Sequence, residues 1–80
     1  MLRFRGQSVA LPDTEFRLAS ALLEREGAVV SRDRLRRSGT GGQISPNTLD
    51  VQIGRLRRRV ADIDLNIRTV RGRGYLLEAV

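Results

Sequence analysis

Between Arg55 and Arg73 the sequence carries seven arginines and only two acids, Asp62 and Asp64. Arginine presents a planar fork of donors that matches phosphate oxygens and the O6/N7 edge of guanine, so this segment has the chemistry to grip a polyanion. Just upstream stand Asn47, whose amide can pair with adenine, and Val51, whose apolar side chain can meet a thymine methyl. Arg71-Gly72-Arg73-Gly74 reads as a hairpin tip that exposes two cations. Projecting arginines such as Arg71 and Arg73 suit the negative potential of a narrow minor groove. The competing reading of Arg55, Arg57, Arg58 and Arg59 is a merely solvated helix face, as most charge runs are.

Other chemistries find little support. Histidine and cysteine are absent, which removes a Cys/His metal site and histidine-based catalysis. All fifteen basic residues are arginine, so Gly39-Thr40-Gly41-Gly42 has no P-loop lysine. Gly72-Arg73-Gly74 lacks the third glycine and the following helix of a dinucleotide site. Asp62 and Asp64 stand alone and read as loop solvation rather than metal ligands. An enzyme, a cofactor and a metal are therefore not expected. The net charge of +6 favours an acidic partner. Arginine in place of every lysine is not functional evidence, because codon bias in a GC-rich genome produces the same pattern. No apolar run approaches the length of a membrane span and the first residues do not read as a signal peptide, so the expected location is the cytoplasm with no membrane partner.

The elements that must position these residues can be read in order. Eighty residues allow one thin core and one domain, residues 1–80. Leu2 and Phe4, then Val9 and Leu11, alternate with polar or small residues around Gly6-Gln7, an N-terminal hairpin. Asp13 is a plausible cap for a helix starting near Thr14 and stopping at Gly27, with Glu15 placed to complement the helix dipole. Its apolar residues fall on two sides, Phe16, Ala19 and Leu23 against Leu18 and Leu22, as expected of a central helix. Ser31 caps a short second helix that only Leu35 anchors inside. Ser45-Pro46 is the strongest helix start, a serine cap with proline where its missing N–H costs nothing.

In the third helix Leu49, Ile53, Leu56 and Val60 form one narrow stripe that must face the core. Asn47, Val51, Gly54 and Arg58 then point outward. Asp50 and Arg57 flank them on one side; Thr48, Arg55 and Arg59 flank them on the other. A valine and a glycine at the centre of an exposed, arginine-rimmed face suit close approach to a surface. Ile67–Val70 and Tyr75–Leu77 read as the strands of the arginine-tipped hairpin.

At this point a family resemblance enters. The segment Asn47-Thr48-Leu49-Asp50-Val51-Gln52-Ile53-Gly54-Arg55-Leu56-Arg57-Arg58-Arg59-Val60 resembles the recognition helix of OmpR/PhoB-type response-regulator effector domains. Ile67-Arg68-Thr69-Val70-Arg71-Gly72-Arg73-Gly74-Tyr75 resembles the wing of the same family, with its R-G-x-G-Y signature. Glu15-Phe16-Arg17-Leu18 and Val29-Val30-Ser31-Arg32-Asp33-Arg34-Leu35 are similar to its first and second helices, in order and spacing. The resemblance implies an α+β winged helix-turn-helix with an N-terminal hairpin or short sheet, three helices and a C-terminal hairpin wing.

It also implies a function: sequence-specific binding of double-stranded DNA by the output domain of a bacterial two-component transcription regulator. The recognition helix, about 46–60, would lie in the major groove and the wing, 70–75, in the minor groove. By resemblance Asp50, Val51 and Arg55 approach bases, joined by Asn47 on its own chemistry. Thr48, Gln52, Arg57 and Thr69 approach phosphates, with Arg58 beside them, while Arg71, with Arg73, enters the minor groove. The implied partners are duplex DNA, RNA polymerase, and a second copy in tandem on direct-repeat half-sites.

The chain departs from the family in several places. Asn47 and Gly54 replace frequent arginines, Pro12 replaces a threonine cap, and the loop from Ser38 to Ile44 is shorter, glycine-rich and without tryptophan. The family's receiver domain is not in this sequence, so control of binding is expected to lie outside it. From another class, a protein-interaction module could use the same basic helix on an acidic partner. RNA binding is weaker, since Phe4, Phe16 and Tyr75 are the only aromatic residues.

Overall fold

The computed structural model describes residues 1–38 and 43–80. The Gly39-Thr40-Gly41-Gly42 stretch, and with it most of the glycine-rich loop from Ser38 to Ile44, lies outside the described residues. Two strands, β1 (Leu2–Phe4) and β2 (Gln7–Val9), pair antiparallel with Leu2 opposite Val9. The turn between them is Arg5-Gly6, one residue earlier than the sequence reading placed it. Both residues have positive φ, 50° and 80°, as a tight two-residue hairpin turn demands. Gln7 is thereby freed to extend its amide to Asp64 Oδ2 at 2.9 Å, tying the hairpin to the C-terminal half of the chain. Strand β2 stops at Val9, short of Leu11.

Helix α1 (Asp13–Leu23) starts with Asp13 inside it, not capping it. The Pro12 carbonyl accepts from the Phe16 N–H at 2.8 Å, and the Asp13 carboxylate pairs with Arg17 at 3.3 Å. One face is buried, formed by Glu15, Leu18, Ala19 and Leu22, while Phe16 and Leu23 are only half-covered. The expected two-sided helix is therefore one-sided, with a carboxylate on its inner face. Regular helix ends at Leu23, and tighter turns carry the chain to Gly27 at φ 82°. There the Gly27 N–H donates to the Leu77 carbonyl at 2.8 Å and fastens the end of α1 to the C-terminal hairpin.

Strand β3 (Val30–Ser31) leads into α2 (Arg32–Ser38), whose buried residue is Leu35, as expected. The Ser31 hydroxyl accepts from the Arg34 N–H at 3.1 Å. Arg36 and Ile44 then bond reciprocally across the loop: Arg36 Nε donates to the Ile44 carbonyl at 2.7 Å and the Ile44 N–H to the Arg36 carbonyl at 3.1 Å. This sets the start of α3 (Pro46–Val60), capped by Ser45, whose hydroxyl accepts from the Thr48 N–H at 3.1 Å. Leu49, Ile53, Leu56 and Val60 are all buried, so the 4-3-4 stripe faces inward as its spacing required.

A short 3-10 turn (Ala61–Ile63) and Asp64, left-handed at φ 62°, reverse the chain into β4 (Leu65–Val70). It pairs antiparallel with β5 (Gly74–Ala79), from Leu65 opposite Ala79 to Val70 opposite Gly74. Strand β3 adds to the other edge of β5, giving the order β3-β5-β4. Gly74 is where that edge closes: a Cβ there would overlap the Val30 carbonyl oxygen, so only glycine lets β3 come so near. Three helices, an N-terminal hairpin and a C-terminal sheet with a projecting hairpin make a winged helix-turn-helix. No helix among the described residues is long and apolar enough to cross a membrane.

Candidate nucleic-acid interface

Helix α3 is held along both flanks, and what remains open between them is the candidate site. Asp50 and Arg57 are seven residues apart, two helical turns, so they share a flank. The C-terminal hairpin packs there. Arg57 Nε donates to the Ile67 carbonyl at 3.0 Å, and its Nη2 donates to Thr69 Oγ1 at 3.1 Å, both on β4. Two turns toward the helix start, Asp50 Oδ1 accepts from the Tyr75 hydroxyl of β5 at 2.9 Å and from Arg32 Nη1 of α2 at 2.7 Å. Arg32 closes the triangle by donating to the Tyr75 oxygen at 3.2 Å, with its guanidinium 5.9 Å from the ring centroid.

On the opposite flank Arg59 Nε lies 2.9 Å from Glu15 Oε1 of α1. Glu15 is 2% exposed, and the contact is an ion pair without the alignment of a hydrogen bond. A carboxylate buried that deeply is tolerable only with a cation beside it, which makes Arg59 a structural residue of the α1–α3 interface.

The open face carries Asn47, Val51, Gly54, Arg55 and Arg58, all exposed, Val51 to 53% although it is apolar. The side chains of Arg55 and Arg58 make no hydrogen bond or ion pair among the described residues, nor do those of Arg71 and Arg73 at the tip of the wing. The tip is shaped by Gly72 at φ 74° and by the Arg73 N–H donating to the Val70 carbonyl at 2.9 Å. Thr48 sits at the helix start, where its hydroxyl accepts from Ser45 Oγ at 2.9 Å, and Gln52 is half-buried. The structure thus brings Asn47, Val51, Arg55 and Arg58 together on one surface. Asp50, Arg57 and Thr69 it ties instead into the joint between α3 and the wing.

Two residues absent from the sequence-derived set, Arg32 and Tyr75, hold Asp50. Arg32 and then Tyr75 keep the Asp50 carboxyl below the ordinary carboxylate range, while Asp50 in turn raises the Arg32 guanidinium. Burial, then the bond to Asp50, pushes the Tyr75 phenol up, so it is a neutral donor at physiological pH. Because the folded-state pKa of Asp50 lies below its unfolded value, the triangle's contribution is complete above about pH 4 and fades as pH falls through the folded value. The melting-temperature gap between wild type and Asp50→Ala is expected to be widest near neutrality and to close in acid. A gap of constant size across a thermal-melt pH series would show that the carboxylate is not engaged. Tyr75→Phe should cost about 0.5–1.5 kcal/mol through the lost hydroxyl.

Residues 6–77 match the family model described as "Transcriptional regulatory protein, C terminal". The response regulator protein PmrA of Pseudomonas aeruginosa is 42% identical over 72 residues, covering 88% of this chain and 32% of PmrA. The transcriptional regulatory protein CpxR of Escherichia coli K12 is 38% identical over 79 residues, 92% of this chain and 34% of CpxR. The chain thus spans about a third of the length of these curated relatives. Among solved structures, the DNA binding domain of CpxR from E. coli superposes with a TM-score of 0.75 at 37% identity, over 96% of this chain and 80% of that one. The Klebsiella pneumoniae RstA DNA-binding domain in complex with RstA box gives 0.73 at 32% identity, over 91% and 77%. With a fold that superposes on these domains and a family match over nearly its whole length, this chain belongs to the OmpR/PhoB-type C-terminal domains of transcriptional regulatory proteins.

Proposed function

We propose that this domain binds double-stranded DNA with sequence preference, as the output domain of a bacterial transcription regulator. The observation that carries the reading is the distribution of charge. Arg55, Arg58, Arg71 and Arg73 are exposed and unpaired among the described residues, whereas Asp50, the acid bordering the open face of α3, is held by Arg32 and Tyr75. A polyanion meeting this surface finds cations free to pair and a carboxylate already compensated.

An α-helix fits the major groove, and α3 would present Asn47, Val51 and Arg55 to base edges with Arg58 toward phosphate. The wing would reach the adjacent minor groove through Arg71 and Arg73. Asp50 borders the bases as a held carboxylate whose Oδ1 is already occupied, and Arg57 with Thr69 forms an oriented pair at the edge of the groove, able to meet a phosphate with the donors left over. Thr48 and Gln52 complete the phosphate-side set at the other edge. The RstA structure, solved with its DNA box, lends support by likeness of fold and sequence. A single copy offers a small contact, so useful affinity calls for a second copy on a tandem half-site.

The expected result for the isolated domain is duplex binding in the micromolar range or weaker at physiological salt, with log affinity falling against log salt at about −0.9 per phosphate neutralised. Fluorescence anisotropy across a salt series measures it. An affinity indifferent to salt, or no duplex binding even at low salt, would refute the reading. Equal binding to an acidic peptide of matched charge would favour the protein-interaction alternative.

A further inference from the structure

Gly54 has no role in this fold that requires glycine. It lies within α3, exposed, without the positive φ that marks Gly6, Gly27, Gly72 and Gly74. A Cβ built there meets no atom of the described residues within 4 Å, so none of the described elements needs the space. Glycine is nonetheless the least favourable residue for a helix interior apart from proline. If the reason is not inside the chain, it lies with what approaches from outside.

The surroundings define that visitor. One turn before Gly54 is Val51, exposed and apolar; one turn after it is Arg58; the held carboxylate of Asp50 borders it. The helix backbone at Gly54 has its N–H and C=O committed within α3, so the gap offers no hydrogen bond and suits an apolar group. In the floor of the major groove the apolar group is the 5-methyl of a pyrimidine. We infer that Gly54 determines specificity through the side chain it lacks: with Val51 it forms a shallow seat that lets the α3 backbone close onto a thymine 5-methyl. This deepens the DNA-binding reading and rests on it.

The test begins with selection of a preferred duplex from a random library by the wild-type domain. The wild type, Gly54→Ala and Gly54→Leu are then compared on that duplex, on a copy with deoxyuridine replacing each thymidine in turn, and in thermal melts. Gly54→Ala should melt higher, by about 4–8 °C, because it removes the glycine penalty from a helix with room for the methyl. Yet it should bind the selected duplex about tenfold more weakly, with Gly54→Leu weaker still, comparable to the effect of one mismatched base pair. One thymidine-to-deoxyuridine exchange should cost the wild type about threefold to fourfold, the value of one buried methyl, and cost Gly54→Leu nothing. Variants that melt higher but bind the selected duplex as the wild type does would overturn the inference and leave DNA binding intact. Variants that melt lower would overturn its premise by giving Gly54 a role in the fold. A wild-type domain that enriches no sequence would remove both.

Discussion

Leu56→Ala is expected to cost about 2–5 kcal/mol, the usual range for truncating a buried leucine and leaving a cavity. Leu56 is fully buried at the centre of the α3 stripe, between Ile53 and Val60. A domain of this size holds only about 4–12 kcal/mol in all, so this one change removes a large share of it. The loss should appear as a fall in melting temperature of about 10–30 °C. The consequence reaches the interface, because α3 can present Val51 and Arg58 outward only while Leu56 anchors it inward. An unchanged melting temperature would mean that α3 is turned the other way, and every assignment on its open face would fail with it.

Gly74→Ala should be of similar size for a different reason. Its φ of 150° is strained for any residue with a side chain, and the added Cβ would run into the Val30 backbone. Backbone strain and the enforced separation of β3 from β5 together amount to about 2–5 kcal/mol. Gly72→Ala is the matched control: Gly72 also has positive φ, 74°, but its Cβ would stand in open space. That variant should lose only the conformational term, about 1–2 kcal/mol. Thermal melts of the two proteins separate the contributions. Equal losses would mean that the close approach of β3 to the wing does not constrain the fold. Because Tyr75 follows Gly74 and holds Asp50, movement here should also loosen the wing against α3.

The parts of this structure legible in the sequence are those written by period and by caps. The stripe Leu49, Ile53, Leu56, Val60 and the Ser45-Pro46 start together set the position and rotation of α3, and hence which residues face outward. Arg71-Gly72-Arg73-Gly74 marked the wing tip by turn chemistry. What escaped was long-range pairing. Glu15 reads as a dipole complement at the start of α1, yet with Leu18, Ala19 and Leu22 it lies on one helical face, a spacing that already pointed it inward. Nothing local to it names Arg59, forty-four residues later, as the partner.

Asp50 carries a similar lesson. An acid at the edge of a surface meant for phosphates is repelled unless something compensates it, and that electrostatic misfit was the available signal for an internal partner. Its identity as Arg32 and Tyr75 depends on how α2 and β5 meet α3, which no single segment encodes. The N-terminal turn falls at Arg5-Gly6 rather than Gly6-Gln7 because Arg5 adopts a positive φ, which is unusual for arginine and leaves no mark in the sequence.

The central claim is that the open face of α3 reads bases while the wing reads groove shape, and one comparative binding measurement addresses it most directly. Arg55→Ala, Arg58→Ala and Arg71→Ala are titrated by anisotropy against the selected duplex, single-base mismatches of it, and versions with A·T-rich or G·C-rich flanks, across a salt series. All three should fold, since each side chain is exposed and unpaired among the described residues. Arg55→Ala should lose about 1–3 kcal/mol on the selected duplex and flatten the preference at one base pair. Arg58→Ala should weaken all duplexes alike and reduce the salt slope by about one. Arg71→Ala should lose most where the flank is A·T-rich and the minor groove narrow. Three equal losses, the same on every duplex, would contradict the account and leave only a basic surface.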